Sequence, residues 1–91
     1  MINAFTGTVH GVVQGVGFRY FAKNKANSLH LGGWVRNLPD GSVEIYANGP
    51  ISDLERLLHY IKTGPVGSQV EETRIQWFQS EKEFKTFEIR G

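Results

Sequence analysis

The chain has 91 residues, a formal net charge of +1, 40% hydrophobic content and no cysteine. That is room for one domain with a modest core, and it excludes disulfides, thiolate metal sites and cysteine nucleophiles. No apolar run is long enough to span a membrane, and Met1-Ile2-Asn3-Ala4-Phe5-Thr6 lacks the basic and apolar regions of a signal peptide, so the expected address is cytoplasmic.

Residues 5–13 alternate, with Phe5, Gly7, Val9, Gly11 and Val13 on one face and Thr6, Thr8, His10 and Val12 on the other. Period two predicts a strand. From Phe18 the period changes. Phe18, Phe21, Ala22, Ala26 and Leu29 fall at helical spacing, with Lys23 and Asn24 outward, and the small alanines predict a helix seated close to a sheet. Leu31-Gly32-Gly33 ends that helix and leads into a second strand, Trp34-Val35-Arg36-Asn37-Leu38. Pro39-Asp40-Gly41-Ser42 is a turn signal, and Val43, Ile45 and Ala47 give the inward face of a third strand, so strands two and three form a hairpin.

Gly49-Pro50 breaks that strand. Ser52-Asp53-Leu54-Glu55 has the spacing of a capping box, and Ile51, Leu54, Leu57, Leu58 and Ile61 form the stripe of a second helix that Gly64-Pro65 ends. Thr73, Ile75 and Trp77 alternate as a fourth strand, and Phe84, Phe87 and Ile89 mark a short final one. The order β-α-β-β-α-β with an added terminal strand predicts an α+β, ferredoxin-like split βαββαβ sandwich over residues 1–91: a mostly antiparallel sheet with two helices on one face. The chain ends directly after its last strand, and a free-standing monomer is the expectation.

Between the first strand and first helix lies Gly11-Val12-Val13-Gln14-Gly15-Val16-Gly17-Phe18-Arg19. Gly15 and Gly17 permit positive φ and let a ligand approach the main chain. Amides at a helix start converge where the dipole favours negative charge, and Arg19 adds a planar fork of donors, so the stretch reads as a phosphate cradle. An ordinary strand–helix turn is the alternative. Charge is segregated in the same sense: residues 1–39 contain Arg19, Lys23, Lys25 and Arg36 and no acid, while residues 40–91 hold all 9 acids against six bases. A positive region around the cradle would draw small anions.

Leu31, Gly33, Val35 and Asn37 share a parity whose apolar members face the helices, which puts an amide on the apolar side at the strand's end. A break in binary pattern at an element end is where function concentrates, although asparagine also serves turns. Arg36 has the opposite parity and reads as a solvated sheet-face residue. His10, His30 and His59 lie on different elements, so no metal site is expected. The serines pair with no base, and Glu71-Glu72 reads as solvated charge.

Gly11-x-Val13-Gln14-Gly15-Val16-Gly17-Phe18-Arg19 and Gly33-Trp34-Val35-Arg36-Asn37-Leu38-Pro39-Asp40-Gly41-Ser42-Val43-Glu44 resemble the two signature segments of the acylphosphatases, and the similarity continues through Gly49-Pro50, Gly64-Pro65 and Phe87-x-Ile89-Arg90. The resemblance implies a metal-free, cofactor-free hydrolase of the carboxyl–phosphate bond, acting on small acyl phosphates and releasing inorganic phosphate. It implies that Arg19 and the amides of Gln14, Gly15, Val16, Gly17 and Phe18 hold the phosphoryl group, and that Asn37 orients the attacking water. Two departures stand out: His30 where the family commonly has glycine, and a terminal Gly91 where many members carry an aromatic residue. Two other readings compete. Residues 14–21 loosely imitate an RNA-recognition motif, but on the strand–helix junction and not on the third strand where stacking requires it. An acylphosphatase-like module within a larger carbamoyl-transfer protein is the other.

Overall fold

The computed structural model describes residues 1–91, in the order β1 (Ile2–Val12), α1 (Phe18–Ser28), β2 (Gly32–Asn37), β3 (Val43–Asn48), α2 (Ile51–Thr63), β4 (Gln69–Ser80) and β5 (Phe87–Arg90). They build one five-stranded sheet in the order β4-β1-β3-β2-β5. The first four strands pair antiparallel, and β5 joins β2 in parallel. This is the ferredoxin-like α+β fold with an added edge strand, as the element order predicts.

The alternation in β1 sends Phe5 and Val9 into the core, and Val13 follows just after the strand; there they meet Val35 from β2 and Val43, Ile45 and Ala47 from β3. Both helices cover that face. Ala22 and Ala26 of α1 are fully buried, so the absence of longer side chains lets the helix lie close to the strands. Leu54, Leu57 and Ile61 supply the buried stripe of α2. Phe21 and Leu29, expected within the α1 stripe, are only partly buried, and Lys25 lies 5.6 Å from the centroid of the Phe21 ring.

Three expectations need correction. The capping box at Ser52 and Glu55 does not form: α2 begins at Ile51, its cap is Pro50, and no side chain caps it. Pro50 is extended, at φ −61° and ψ 140°, as a cap position requires, and its carbonyl accepts from Asp53 and Leu54 at 3.1 and 3.0 Å. Ile51 is thereby left half exposed. Second, β4 starts at Gln69, because β1 pairs with it along its whole length, from Ile2 opposite Ser80 to Val12 opposite Gln69. A bulge at His10/Gly11 absorbs Glu71, and Gly11 sits at φ 127° there. Third, Phe84 lies outside β5, in a segment that carries the chain from one sheet edge to the other.

Candidate active site

Between β1 and α1 the chain turns through Gly15 at φ 74° and Gly17 at φ 75°. A Cβ on either would meet nothing within 4 Å, so glycine is needed there for backbone conformation and leaves the approach from solvent open. Gly17 caps α1 with no side-chain hydrogen bond, and the first helical turn contains no acid. The main-chain N–H groups from Gln14 to Tyr20 donate to no acceptor within the protein; the first bonded amide is that of Phe21, to the Gly17 carbonyl at 3.0 Å. A run of unpaired donors at the positive end of a helix favours negative charge there.

A cleft of about 150 Å³ opens on this turn, lined by Val13, Gly15, Gly17, Phe18, Arg19, Tyr20 and Asn37. Arg19 pairs with no Asp or Glu side chain. Its one hydrogen bond, from Nη1 to a main-chain oxygen of Gly91, is 3.5 Å long and leaves most of the guanidinium fork free. Asn37 enters from the end of β2, its side chain on the helix-facing side. Its Oδ1 is buried and has no hydrogen-bond partner. A buried acceptor left unmet costs about 1–3 kcal/mol, so this oxygen marks a place where a donor is wanted. No carboxylate lines the cleft.

Of the residues singled out in the sequence, the structure places Gly15, Gly17, Phe18, Arg19 and Asn37 around one cleft. It does not bring the side chains of Gln14 and Val16 there. Val16 packs on the core, and Gln14 Nε2 donates to the carbonyls of Leu38 and Ser42. Val13 and Tyr20 join the lining without having been anticipated. Val13 was foreshadowed by its parity with Phe5 and Val9, whereas Tyr20 carries no signal beyond following Arg19 into the first helical turn. Nearby, Asp40 is held below the ordinary carboxylate range, first by the Ser42 hydroxyl at 2.5 Å and then by the Ser42 amide at 2.9 Å.

Four wider hollows lie elsewhere, the two largest about 420 Å³ on the open sheet face and about 590 Å³ beside α2. On the sheet face Glu44 and Arg74 are already ion-paired, with Arg36 and Glu72, so that hollow lacks the free donors of the cleft. Nowhere do three His, Asp or Glu side chains converge as a metal site would need.

The fold and this cleft define a small α+β domain with free main-chain donors and an arginine at a strand–helix turn. The family model for acylphosphatase matches residues 5–89, and the chain belongs to the acylphosphatase family. It is 52% identical over 69 residues to an acylphosphatase of Thermus thermophilus, covering 76% of this chain and 78% of that one. The crystal structure of acylphosphatase from Bacillus subtilis superposes with a TM-score of 0.95 at 37% identity, covering 98% of this chain and 99% of that chain. The same fold recurs in full-length HypF, with a TM-score of 0.86 and 32% identity over 100% of this chain and 12% of that one. The protein is accordingly a hydrolase of acyl phosphates.

Proposed function

We propose that the β1–α1 turn holds the phosphoryl group, with Arg19 and the free amides of residues 14–20 as donors, and that Asn37 positions the attacking water. The observation that carries this reading is the meeting, in one cleft, of unbonded amides, an unpaired arginine and a buried, unpartnered Asn37 Oδ1. Phosphoryl transfer passes through a loose transition state in most analyses, so the protein has mainly to position reactants and neutralise charge. Loop amides and Arg19 contact the equatorial oxygens. Asn37 Oδ1 accepts a hydrogen bond from water and holds its oxygen in line with the scissile bond. As the water oxygen bonds to phosphorus, the bond from phosphorus to the acyl oxygen breaks and its electron pair leaves on the carboxylate. With a pKa of about 4 that group departs without a general acid. A phosphoryl oxygen takes the proton from water, since no carboxylate or histidine lines the cleft.

The chain is read as one domain, acting as a monomer in the cytoplasm without nucleic acid. In support, Trp34 and Tyr46 do stack on the open sheet face, but Arg36 and Arg90 lie over Trp34 and Phe84 covers Tyr46, which is only 9% exposed. A base would find that platform occupied.

The test compares hydrolysis of an aromatic acyl phosphate by wild type, Arg19→Ala and Asn37→Ala, with inhibition by inorganic phosphate measured alongside. Arg19→Ala is expected to lose about 4 kcal/mol of transition-state stabilisation, roughly a thousandfold in rate. Asn37→Ala is expected to lower kcat while phosphate inhibition persists. Arg19→Ala activity within a few-fold of wild type would sink the first role, and loss of phosphate inhibition in Asn37→Ala would sink the second.

A further inference from the structure

We infer that Gln14 is a positioning residue for the hydrolysis, locking the phosphate cradle to the hairpin that carries Asn37; the inference rests on the roles proposed above for Arg19 and Asn37. Gln14 sits in the cradle, yet its side chain turns away from the cleft. Nε2 donates to the carbonyl of Leu38 at 2.8 Å and to that of Ser42 at 2.8 Å. Both partners can only accept, so chemistry alone fixes which end of the amide faces them. These two carbonyls close the mouth of the β2–β3 hairpin. The Leu38 amide donates to Ser42 O at 2.8 Å and the Gly41 amide to Leu38 O at 3.1 Å. Each carbonyl therefore spends one lone pair within the hairpin and the other on Gln14.

Leu38 directly follows Asn37, so one side chain and one residue of backbone separate the phosphate cradle from the water-orienting amide. No other hydrogen bond joins residues 13–20 to residues 36–43. Otherwise the two halves are joined only indirectly, through the ladders of β1 on β3 and β3 on β2 that meet at Val43, and by apolar packing, which holds volume but not direction. In-line attack is directional: a misplacement of about 1 Å can cost roughly a hundredfold in rate. The β1–β3 ladder ends before the turn, at Val9 opposite Val43, and the paired bonds of Gln14 supply the direct tie from the turn itself. They set the distance and angle at which Asn37 meets the phosphorus held above the turn.

The test uses two substitutions. Gln14→Met removes both donors at similar length. Gln14→Glu presents a carboxylate that repels the two carbonyls when ionised and can donate one O–H when protonated. At neutral pH both variants are expected to lose roughly tenfold to a hundredfold in kcat, with inhibition by inorganic phosphate held within about twofold of wild type. Relative to wild type, Gln14→Glu should regain activity as the pH falls through the carboxyl range, and Gln14→Met should not. In an Asn37→Ala background, Gln14→Met should change kcat by less than about twofold, because the group being positioned is gone. Equal losses with and without Asn37, or phosphate inhibition weakening in step with kcat, would overturn the inference. If Gln14→Met folds poorly, the acid recovery of Gln14→Glu carries the test, and its absence is fatal. A wild-type kcat in Asn37→Ala alone would instead remove the water-orienting role itself, and this inference with it.

Discussion

At His30 the backbone takes φ 57°, the one non-glycine residue with positive φ. The cause is the way α1 ends: the Leu31 amide donates to Ala26 O at 2.9 Å and the His30 amide to Asn27 O at 3.1 Å, the paired bonds of a Schellman motif. Ala26 and Leu31 are both buried, which completes the apolar contact that accompanies such a cap. A side chain in the left-handed region costs about 1–2 kcal/mol, and glycine returns part of that as extra entropy in the unfolded chain. His30→Gly should therefore stabilise the protein by about 0.5–1 kcal/mol without changing kcat. Urea denaturation checks it, and an unchanged midpoint would mean that the residue is not strained. This position was legible because a departure from the family pattern fell where a helix must end. Asn37 was legible by its parity. The side chain of Gln14 was not: nothing local distinguishes an amide that bonds its own turn from one that reaches a hairpin 24 residues away.

Elements were readable to the extent that their information was local. The β2–β3 hairpin followed from its turn residues, and its chemistry makes a prediction about pH. Ser42 donates from Oγ and from its amide to Asp40 Oδ1, and these bonds favour the ionised carboxylate and lower its pKa. A depressed carboxyl pKa contributes stability that is present above the unfolded value of about 4 and is lost as the pH falls through the lower folded value. Asp40→Asn should accordingly melt below wild type at neutral pH, and the gap should close in acid. The gap should also be modest, since Asp40 is solvated. Melting curves across pH decide the matter: a gap that ignores pH would show the charge to be irrelevant. The α2 start misleads for a different reason. Ser52 and Glu55 have capping spacing, but the helix opens two residues earlier than that spacing requires, at the residue after a proline. Likewise β4 reads short because Glu71, Glu72 and Arg74 dilute its alternation, while eleven residues of β1 dictate its true length.

The least legible feature belongs to the whole molecule. β4 lies at one edge of the sheet and β5 at the other, so residues 81–86 must cross the open face over β1, β3 and β2. Strand periodicity says nothing about such a crossing. It is held by Asn48, which is 2% exposed at the end of β3. Asn48 Nδ2 donates to the Phe84 carbonyl at 3.0 Å, and the Phe84 amide donates to Asn48 Oδ1 at 2.7 Å. Gly32 leaves the room: a Cβ there would collide with that same Phe84 carbonyl. The Phe84 ring then meets Tyr46 edge-on at 5.2 Å, and Arg90 lies over both Phe84 and Trp34, fastening β5 beside β2. Asn48→Ala deletes both hydrogen bonds and leaves a donor and an acceptor under the crossing without partners. At about 1–1.5 kcal/mol for each, the loss of stability should be about 2–3 kcal/mol. Amide exchange should quicken first across residues 84–90, because those residues lose their anchor while β1, β3 and β4 keep their ladders. The proposed active-site cleft draws on the β1–α1 turn, α1 and β2, so kcat should stay within a few-fold of wild type. A stability loss below about 0.5 kcal/mol, no more than an ordinary surface substitution, would show that the crossing is held by its aromatic contacts and not by Asn48.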